Sequence, residues 1–421
     1  MRGTLKPPRL RDNCFALPQG VDWIPVSEAL TRLETALTPV VQSETLLVDQ
    51  AAGRVLTENL SAKRATPPHP NAAVDGYGFA HCATGYGPQY LPLVKGRAAA
   101  GHPYAGTVPK GSALRILTGA PLPEGVDTVV LEEDCTIDGQ AIAFHGPIKP
   151  GTNTRCAGED RAKGVPILTA GHRLRAPDLA LLAATGHEAV PVLRPLRVAV
   201  MSTGDELRDL GGATEPGHVF DANRPMLRAL LTRWGHEVID LGRWPDNPDS
   251  IRTALDQGAR ADAIMTSGGA SAGEEDHISA LLQAEGRLHA WRIALKPGRP
   301  LVLAQWHGTP VFGLPGNPVA AFVCALLFAR PALELMSGAG WSSPLRFTVP
   351  AAFAKSKKPG RTEYPRARLT SRGEVEVFTS EGSGRISGLS WADGLVELPM
   401  EAAEITPGTA VTYLPYAGFG L

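Results

Sequence analysis

The sequence predicts a multidomain α/β protein with three textures: a doubly wound, mostly parallel α/β domain, a β-rich module before it and a small all-β domain after it. Three observations predict this. Apolar strand-like runs alternate with helix-like segments between Arg197 and Met336. Beyond about Ser342 the hydrophobic period becomes two, and residues 62–154 are rich in Gly, Pro and short Val/Leu runs. A chain of 421 residues leaves room for two to four domains of ~100–200 residues each.

In the N-terminal part, Val26, Leu30, Leu33 and Leu37 fall at helical spacing, with Ser27 as the expected N-cap. In the α/β domain, Arg197–Ser202 reads as a buried strand running into the loop Thr203–Glu206. A helix follows over Pro225–Trp234 with Gly235 as its stop, then a strand over Glu237–Leu241. Asn247-Pro248 is an N-cap and first-turn pair that opens a helix through Gln257. Ala261–Thr266 reads as a strand, Ser267–Glu275 as a Gly-rich loop and His277–Ala284 as a helix ended by Gly286. Strands over Leu301–Gln305 and Pro310–Leu314 lead into Pro315-Gly316-Asn317-Pro318 and a long apolar helix. In the last part, Glu374–Phe378, Leu395–Leu398 and Ala410–Leu414 are strand candidates between Gly/Pro turns. There is no internal repeat.

Composition removes several functional classes. Lys and Arg total 41 against 42 Asp and Glu, so there is no basic field for a nucleic-acid backbone. Aromatics at 6% argue against a base-stacking platform, and a hydrophobic fraction of 43% argues against wholesale disorder. Five cysteines (Cys14, Cys82, Cys135, Cys156 and Cys324) form no C-x-x-C pair, which disfavours a disulfide framework and a Cys-rich zinc site. The first residues lack the apolar core of a signal peptide. The longest uncharged apolar run, Val319 to Ala329, is shorter than the ~20 residues that span a bilayer. A reducing, cytoplasmic setting with no membrane is expected.

Open parallel sheets place their ligand loops at the carboxyl ends of the strands. Four segments should therefore crowd one edge: Ser202–Glu206, Asp246-Asn247, Ser267–Asp276 and Gly313–Pro318. The Ser267–Asp276 loop runs into a helix, so its N–H groups can hold a phosphate or oxyanion. Carboxylates beside such an anion call for a cation, so Glu206, Asp246 and Asp276 suggest Mg²⁺ bridging protein and phosphate. Asp246 and Asp276 can equally be helix N-terminal acids favoured by the dipole. Lys296-Pro297-Gly298-Arg299-Pro300 is an oxyanion clamp or a solvated turn. No G-x-x-x-x-G-K-[ST] and no G-x-G-x-x-G after a strand is present, and the histidines show no ligand spacing.

Taken in order, the segments resemble the molybdopterin molybdenumtransferases, the bacterial MoeA proteins and the E domain of gephyrin. The matching segments are VDGY at Val74–Tyr77, TGAPLPEG at Thr118–Gly125, GED at Gly158–Asp160, STGDEL at Ser202–Leu207 and DAN at Asp221–Asn223. They continue with SGGASAGEED at Ser267–Asp276, KPGRP at Lys296–Pro300, GLPGNPV at Gly313–Val319, Gly360–Tyr364 and Gly382–Gly384. Departures are mild: members more often have Ser-Met for Ala73-Val74, Lys for Arg299 and Val for Ala270 and Ala272.

The resemblance implies a homodimer of four-domain subunits. These are residues 1–60 with 155–195, an inserted 61–154, an adenylyltransferase-like α/β domain at 196–338 and a β domain at 339–421. It implies Mg²⁺-dependent insertion of molybdate into adenylylated molybdopterin with release of AMP, at a site between the α/β domain of one subunit and the second domain of the other. Asp75, Thr118, Asp160, Glu206 and Asp276 are its implied catalytic residues. Lys296, Arg299, Ser267, Gly268, Gly269, Ser271, Gly273, Pro315, Gly316, Asn317, Arg155, Arg361 and Ser383 are its implied substrate-binding residues. A molybdopterin adenylyltransferase and an apo-molybdoenzyme are the partners it suggests. Two other readings of the same residues are an adenylyltransferase and a non-catalytic molybdopterin-binding scaffold.

Overall fold

A computed structural model describes residues 23–211, 215–269, 277–290, 293–298, 301–380, 382 and 384–421. Contacts divide the chain into two compact units: residues up to Gln42 with Leu193–Leu421, and Ser43–Val192.

In the first unit a six-stranded sheet has the order Glu237–Trp244, Arg197–Thr203, Ala263–Ser267, Thr309–Leu314, Val302–Trp306, Arg287–Ala290. The first four strands are mutually parallel, and Val302–Trp306 runs antiparallel to both its neighbours. The doubly wound, mostly parallel sheet read from the sequence is therefore present. Its side chains alternate between two cores. Val198 and Val200 pack with Leu227, Leu231, Phe312 and Phe328 on one face. Ala199 and Met201 pack with Ile251, Leu255, Ile264 and Leu282 on the other. A sheet covered on both faces needs such unbroken apolar strands.

Several elements differ in detail from the sequence reading. The first helix is Val26–Ala36 with Pro25 at the cap position, so Ser27 lies inside it and does not cap it. The helix expected from Pro225 is Asn223–Arg233, because the Asp221 carboxylate accepts the N–H groups of Asn223 and Arg224, each at 3.1 Å. Asn247 caps Pro248–Gly258 as expected, its side chain accepting from Ser250 N at 3.0 Å. The long apolar helix expected after Pro318 is present and runs beyond the uncharged stretch. It passes through a π turn at Ala325–Ala329 and continues to Met336, giving a 19-residue helix whose apolar window is 89% buried. Arg330 is tolerated there because its guanidinium donates to Gly418 O at 2.8 Å and lies over the Phe419 ring. This is a core helix, packed against the sheet.

A five-stranded antiparallel sheet closes this unit, in the order Phe347–Pro350, Ala410–Pro415, Gly394–Glu397, Arg366–Leu369, Val375–Val377. It carries one short helix, Ser387–Trp391. Tyr364, Leu395, Leu414 and Phe419 join the main α/β core, so the β part is packed onto the α/β part. A two-stranded parallel pair reinforces the join: Leu295 with Thr362 and Lys296 with Glu363.

The second unit holds a six-stranded sheet in the order Thr128–Leu131, Gly76–Phe79, Ala113–Ile116, Gly87–Ala98, Ala141–Gly146, Thr136–Ile137. A three-stranded sheet in the order Ser43–Leu47, Ala189–Leu193, Val55–Leu56 brings the start and end of the unit side by side. The helix Ala176–Ala184 packs over its own core of Val48, Leu56, Leu174, Leu182 and Val190.

Candidate functional site

The chain runs from Arg197–Thr203 out to one side of the sheet, then crosses back to Ala263–Ser267 on the other. Ligands bind in the crevice at the carboxyl ends of the strands where such a reversal occurs. A cleft of about 850 Å³ lies in this unit. Its walls include Glu206 from the loop after the first strand, Pro315, Gly316 and Asn317 after Thr309–Leu314, Lys296 and Gly298 from the KPG turn, and Arg361 and Gly382 from the β part.

The strand ends are tied together by a side chain to which the sequence reading gave no role. Asn223 is buried, and its Nδ2 donates to Ser267 Oγ and to Gly316 O, both at 2.6 Å. Its motif, Asp221–Asn223, was visible in the sequence, but nothing in the spacing told that it bridges two loops. Asp221 also borders the cleft. It is 3% exposed, caps its helix and pairs with Arg224 at 3.2 Å, so its charge is already met within the protein. Gly268 has φ +95, and a Cβ there would come within 2.4 Å of Thr203 O, so only glycine fits where the two loops touch. Gly269 lies against Thr203 and Ile278. The Glu206 carboxylate folds back over its own loop, within 2.6 Å of where a Gly204 Cβ would stand.

Lys296 is set by its turn. Gly298, at φ +116, lies so close to Cys324 that an added Cβ would meet its sulfur at 2.5 Å. Burial pushes the Cys324 thiol pKa up, so this residue is a packing surface and not a nucleophile. The loop at the cleft mouth is held by Arg366, which is 4% exposed and donates to the carbonyls of Ser380, Gly382 and Arg385 while lying over Phe378 at 4.9 Å.

Asp246 is not among the residues lining the cleft, and its N–H donates to Asp205 Oδ1 at 3.1 Å. Ser271, Gly273, Asp276, Arg299 and Ser383 lie outside the described residues.

In the second unit, Asp75 and Thr118 meet directly. Asp75 Oδ1 accepts from Thr118 Oγ1 at 2.6 Å and from Thr118 N at 2.7 Å. These two bonds, with the Arg115 charge behind them, hold the exposed Asp75 carboxyl below its usual value. Arg155 pairs in register with Asn71, and Gly119 N and Ala120 O bond Ala72, so the Asp75, Thr118 and Arg155 segments share one edge. Asp160 is exposed, its N–H donating to Thr66 O at 3.1 Å.

Residues 24–186 match the MoeA N-terminal region (domain I and II), 199–335 a probable molybdopterin binding domain and 348–416 the MoeA C-terminal region (domain IV). The molybdopterin molybdenumtransferase of Haemophilus influenzae is 34% identical over 399 residues, which span 93% of this chain and 98% of that protein. The chain belongs to the molybdopterin molybdenumtransferase family. A relative of the same name from Nostoc sp. is 32% identical over 390 residues and is covered over 89% of its length, as is this chain. The crystal structure of the molybdopterin biosynthesis moeA protein from Pyrococcus horikoshii OT3 superposes with a TM-score of 0.82 at 28% identity, covering 94% of this chain and 100% of that one. As a molybdopterin molybdenumtransferase family member, the chain is a transferase of molybdenum cofactor biosynthesis.

Proposed function

We propose that the chain inserts molybdate into adenylylated molybdopterin in a Mg²⁺-dependent step that releases AMP. The observation that carries this reading is the cleft itself: Lys296 and Arg361 lie among its walls with Glu206, at the strand ends of the molybdopterin-binding domain. Molybdate is a dianion and the other substrate carries a phosphoanhydride, so positive charge has to come from the protein. Lys296 and Arg361 hold the molybdate oxygens, the guanidinium offering a planar fork to two of them. The Ser267–Gly269 strand end and Gly316, fixed to one another by Asn223, hold the substrate phosphate.

The donor set fits Mg²⁺. This ion takes one or two protein carboxylates and completes its octahedron with water and phosphate oxygens. Glu206 supplies one such carboxylate at the cleft, and among the described residues no group of three or more ligating side chains gathers anywhere. Asp276 is the further carboxylate of this proposal, and Asp246, which does not line the cleft, would act on the ion only through its water. When bound, the ion would polarise a phosphoanhydride oxygen. Asp75, kept ionised by Thr118, accepts an N–H of the pterin. Arg155, Asp160, Arg299, Ser271, Gly273, Pro315, Asn317 and Ser383 complete the proposed substrate contacts. The same reading makes the protein a cytoplasmic homodimer built from the four parts set out above.

The test is turnover by the purified protein given adenylylated molybdopterin, Mg²⁺ and molybdate. AMP and a cofactor that reconstitutes an apo-molybdoenzyme should both appear, and both should vanish without Mg²⁺ or in the Asp75→Asn variant. Tight substrate binding with neither product would make it a scaffold. Charging of molybdopterin from ATP would make it an adenylyltransferase.

A further inference from the structure

We propose that Glu363 and Lys355 set the affinity of the cleft for its oxyanion by contesting and then releasing the ammonium of Lys296. The inference rests on the reading that Lys296 holds the oxyanion. Glu363 does not line the cleft, and it is 9% exposed. Lys296 Nζ lies 3.5 Å from Glu363 Oε2, and Lys355 Nζ lies 3.2 Å from that same oxygen. All three side chains are largely buried, with 19%, 11% and 13% of Lys296, Glu363 and Lys355 exposed. Their geometry is fixed from behind, since Lys296 and Glu363 are register partners and Tyr364 N donates to Lys296 O at 2.7 Å. Lys357, next along this cluster, feels the Glu363 charge but spends its hydrogen bonds on backbone carbonyls, donating to Lys358 O at 2.9 Å and Glu401 O at 3.0 Å.

A dianion entering the cleft must draw Lys296 away from Glu363. A buried carboxylate that loses its only cation is costly. Here Lys355 stays on the oxygen that Lys296 leaves, so the exchange proceeds without stranding a charge. Two opposite effects follow. Removing the Glu363 charge takes away its pull on Lys296 and makes the cleft more positive, so the oxyanion binds tighter. Removing Lys355 strengthens the hold of Glu363 on Lys296, so the oxyanion binds more weakly although Lys355 does not line the cleft. A purely structural Glu363 would instead weaken binding when neutralised.

The test is molybdate binding to the full-length protein, by calorimetry at low ionic strength with molybdate alone as probe. Glu363→Gln, which keeps the side-chain size, should tighten binding about threefold to tenfold, and Lys355→Met should weaken it by a similar factor. The Lys355→Met loss should shrink in the Glu363→Gln background, and every difference should narrow as salt is added. Thermal denaturation checks that each variant is folded, and Lys355→Gln is the second variant with the same expectation. Weaker binding by Glu363→Gln overturns the proposal, as does an equal Lys355 loss in both backgrounds. Lys296→Met separates the two readings. If that variant binds molybdate as the parent does, the oxyanion assignment fails and this inference goes with it. If Lys296→Met loses binding while Glu363→Gln and Lys355→Met change nothing, only this inference fails.

Discussion

At the residue scale the decisive groups are few, and each is tuned by a neighbour. Lys296→Met should raise the molybdate Kd about tenfold to a hundredfold, the worth of one hydrogen bond to a charged group, as read by calorimetry. Asp75 depends on Thr118 in a way that can be titrated. Both of its short hydrogen bonds come from that residue, so Thr118→Val should move the Asp75 carboxyl upward, towards an ordinary carboxylate. The sign follows from linkage. A depressed carboxyl pKa stabilises the folded form above the unfolded value, and the effect is lost as pH falls through the folded one. A carboxyl-detected pH titration that finds the same value in parent and variant would remove Thr118 from this role. Much of this was legible beforehand. Glu206, Lys296, Gly316 and Arg361 sit in quoted motifs, and the structure gathers them at one cleft. Glu363 and Lys355 were not legible as a pair, because each sits on a strand paired elsewhere, Glu363 with Lys296 and Lys355 with Ile405, and no spacing encodes their meeting.

At the element scale, the turn Lys296–Gly298 and the loop from Ser380 to Ile386 are the parts whose shape matters most. Gly298→Ala combines a backbone angle that side chains avoid with a clash against Cys324, so it should destabilise the protein by about 1–3 kcal/mol in urea denaturation. Adding Cys324→Ala should recover part of that loss. If it recovers none, backbone strain is the whole cost. Arg366→Met should leave the carbonyls of Ser380, Gly382 and Arg385 without their donor. Faster hydrogen exchange at Gly384 and Arg385 together with weaker molybdate binding is the expected outcome, and unchanged exchange would show that other contacts hold this loop. Sequence patterns gave most strands and helices here, since apolar runs with capping residues encode them locally. The edge strand Arg287–Ala290 was missed because its side chains, R-L-H-A, form no apolar run. The long core helix was legible as an apolar run after Pro318, and it carries Arg330 because that charge is met by Gly418.

At the scale of the whole molecule, the two compact units make separate predictions. Ser43–Val192 has its own cores, and its two ends enter and leave on neighbouring strands. Expressed alone, it should fold and unfold cooperatively in urea. A gradual, sloping transition would show that it needs the rest of the chain. The remaining unit cannot be divided in the same way, because the α/β sheet and the C-terminal β sheet share one core. The parallel pair of Leu295-Lys296 with Thr362-Glu363 adds a constraint on protein engineering. Arg361 enters the cleft from a segment welded by backbone hydrogen bonds to the turn that carries Lys296, far earlier in the chain. A chimera that takes its C-terminal part from a relative therefore imports half of the anion site along with half of a strand pair. Such grafts should work only when residues 293–298 and 360–366 come from the same parent, which makes these two stretches a single unit of inheritance for recombination.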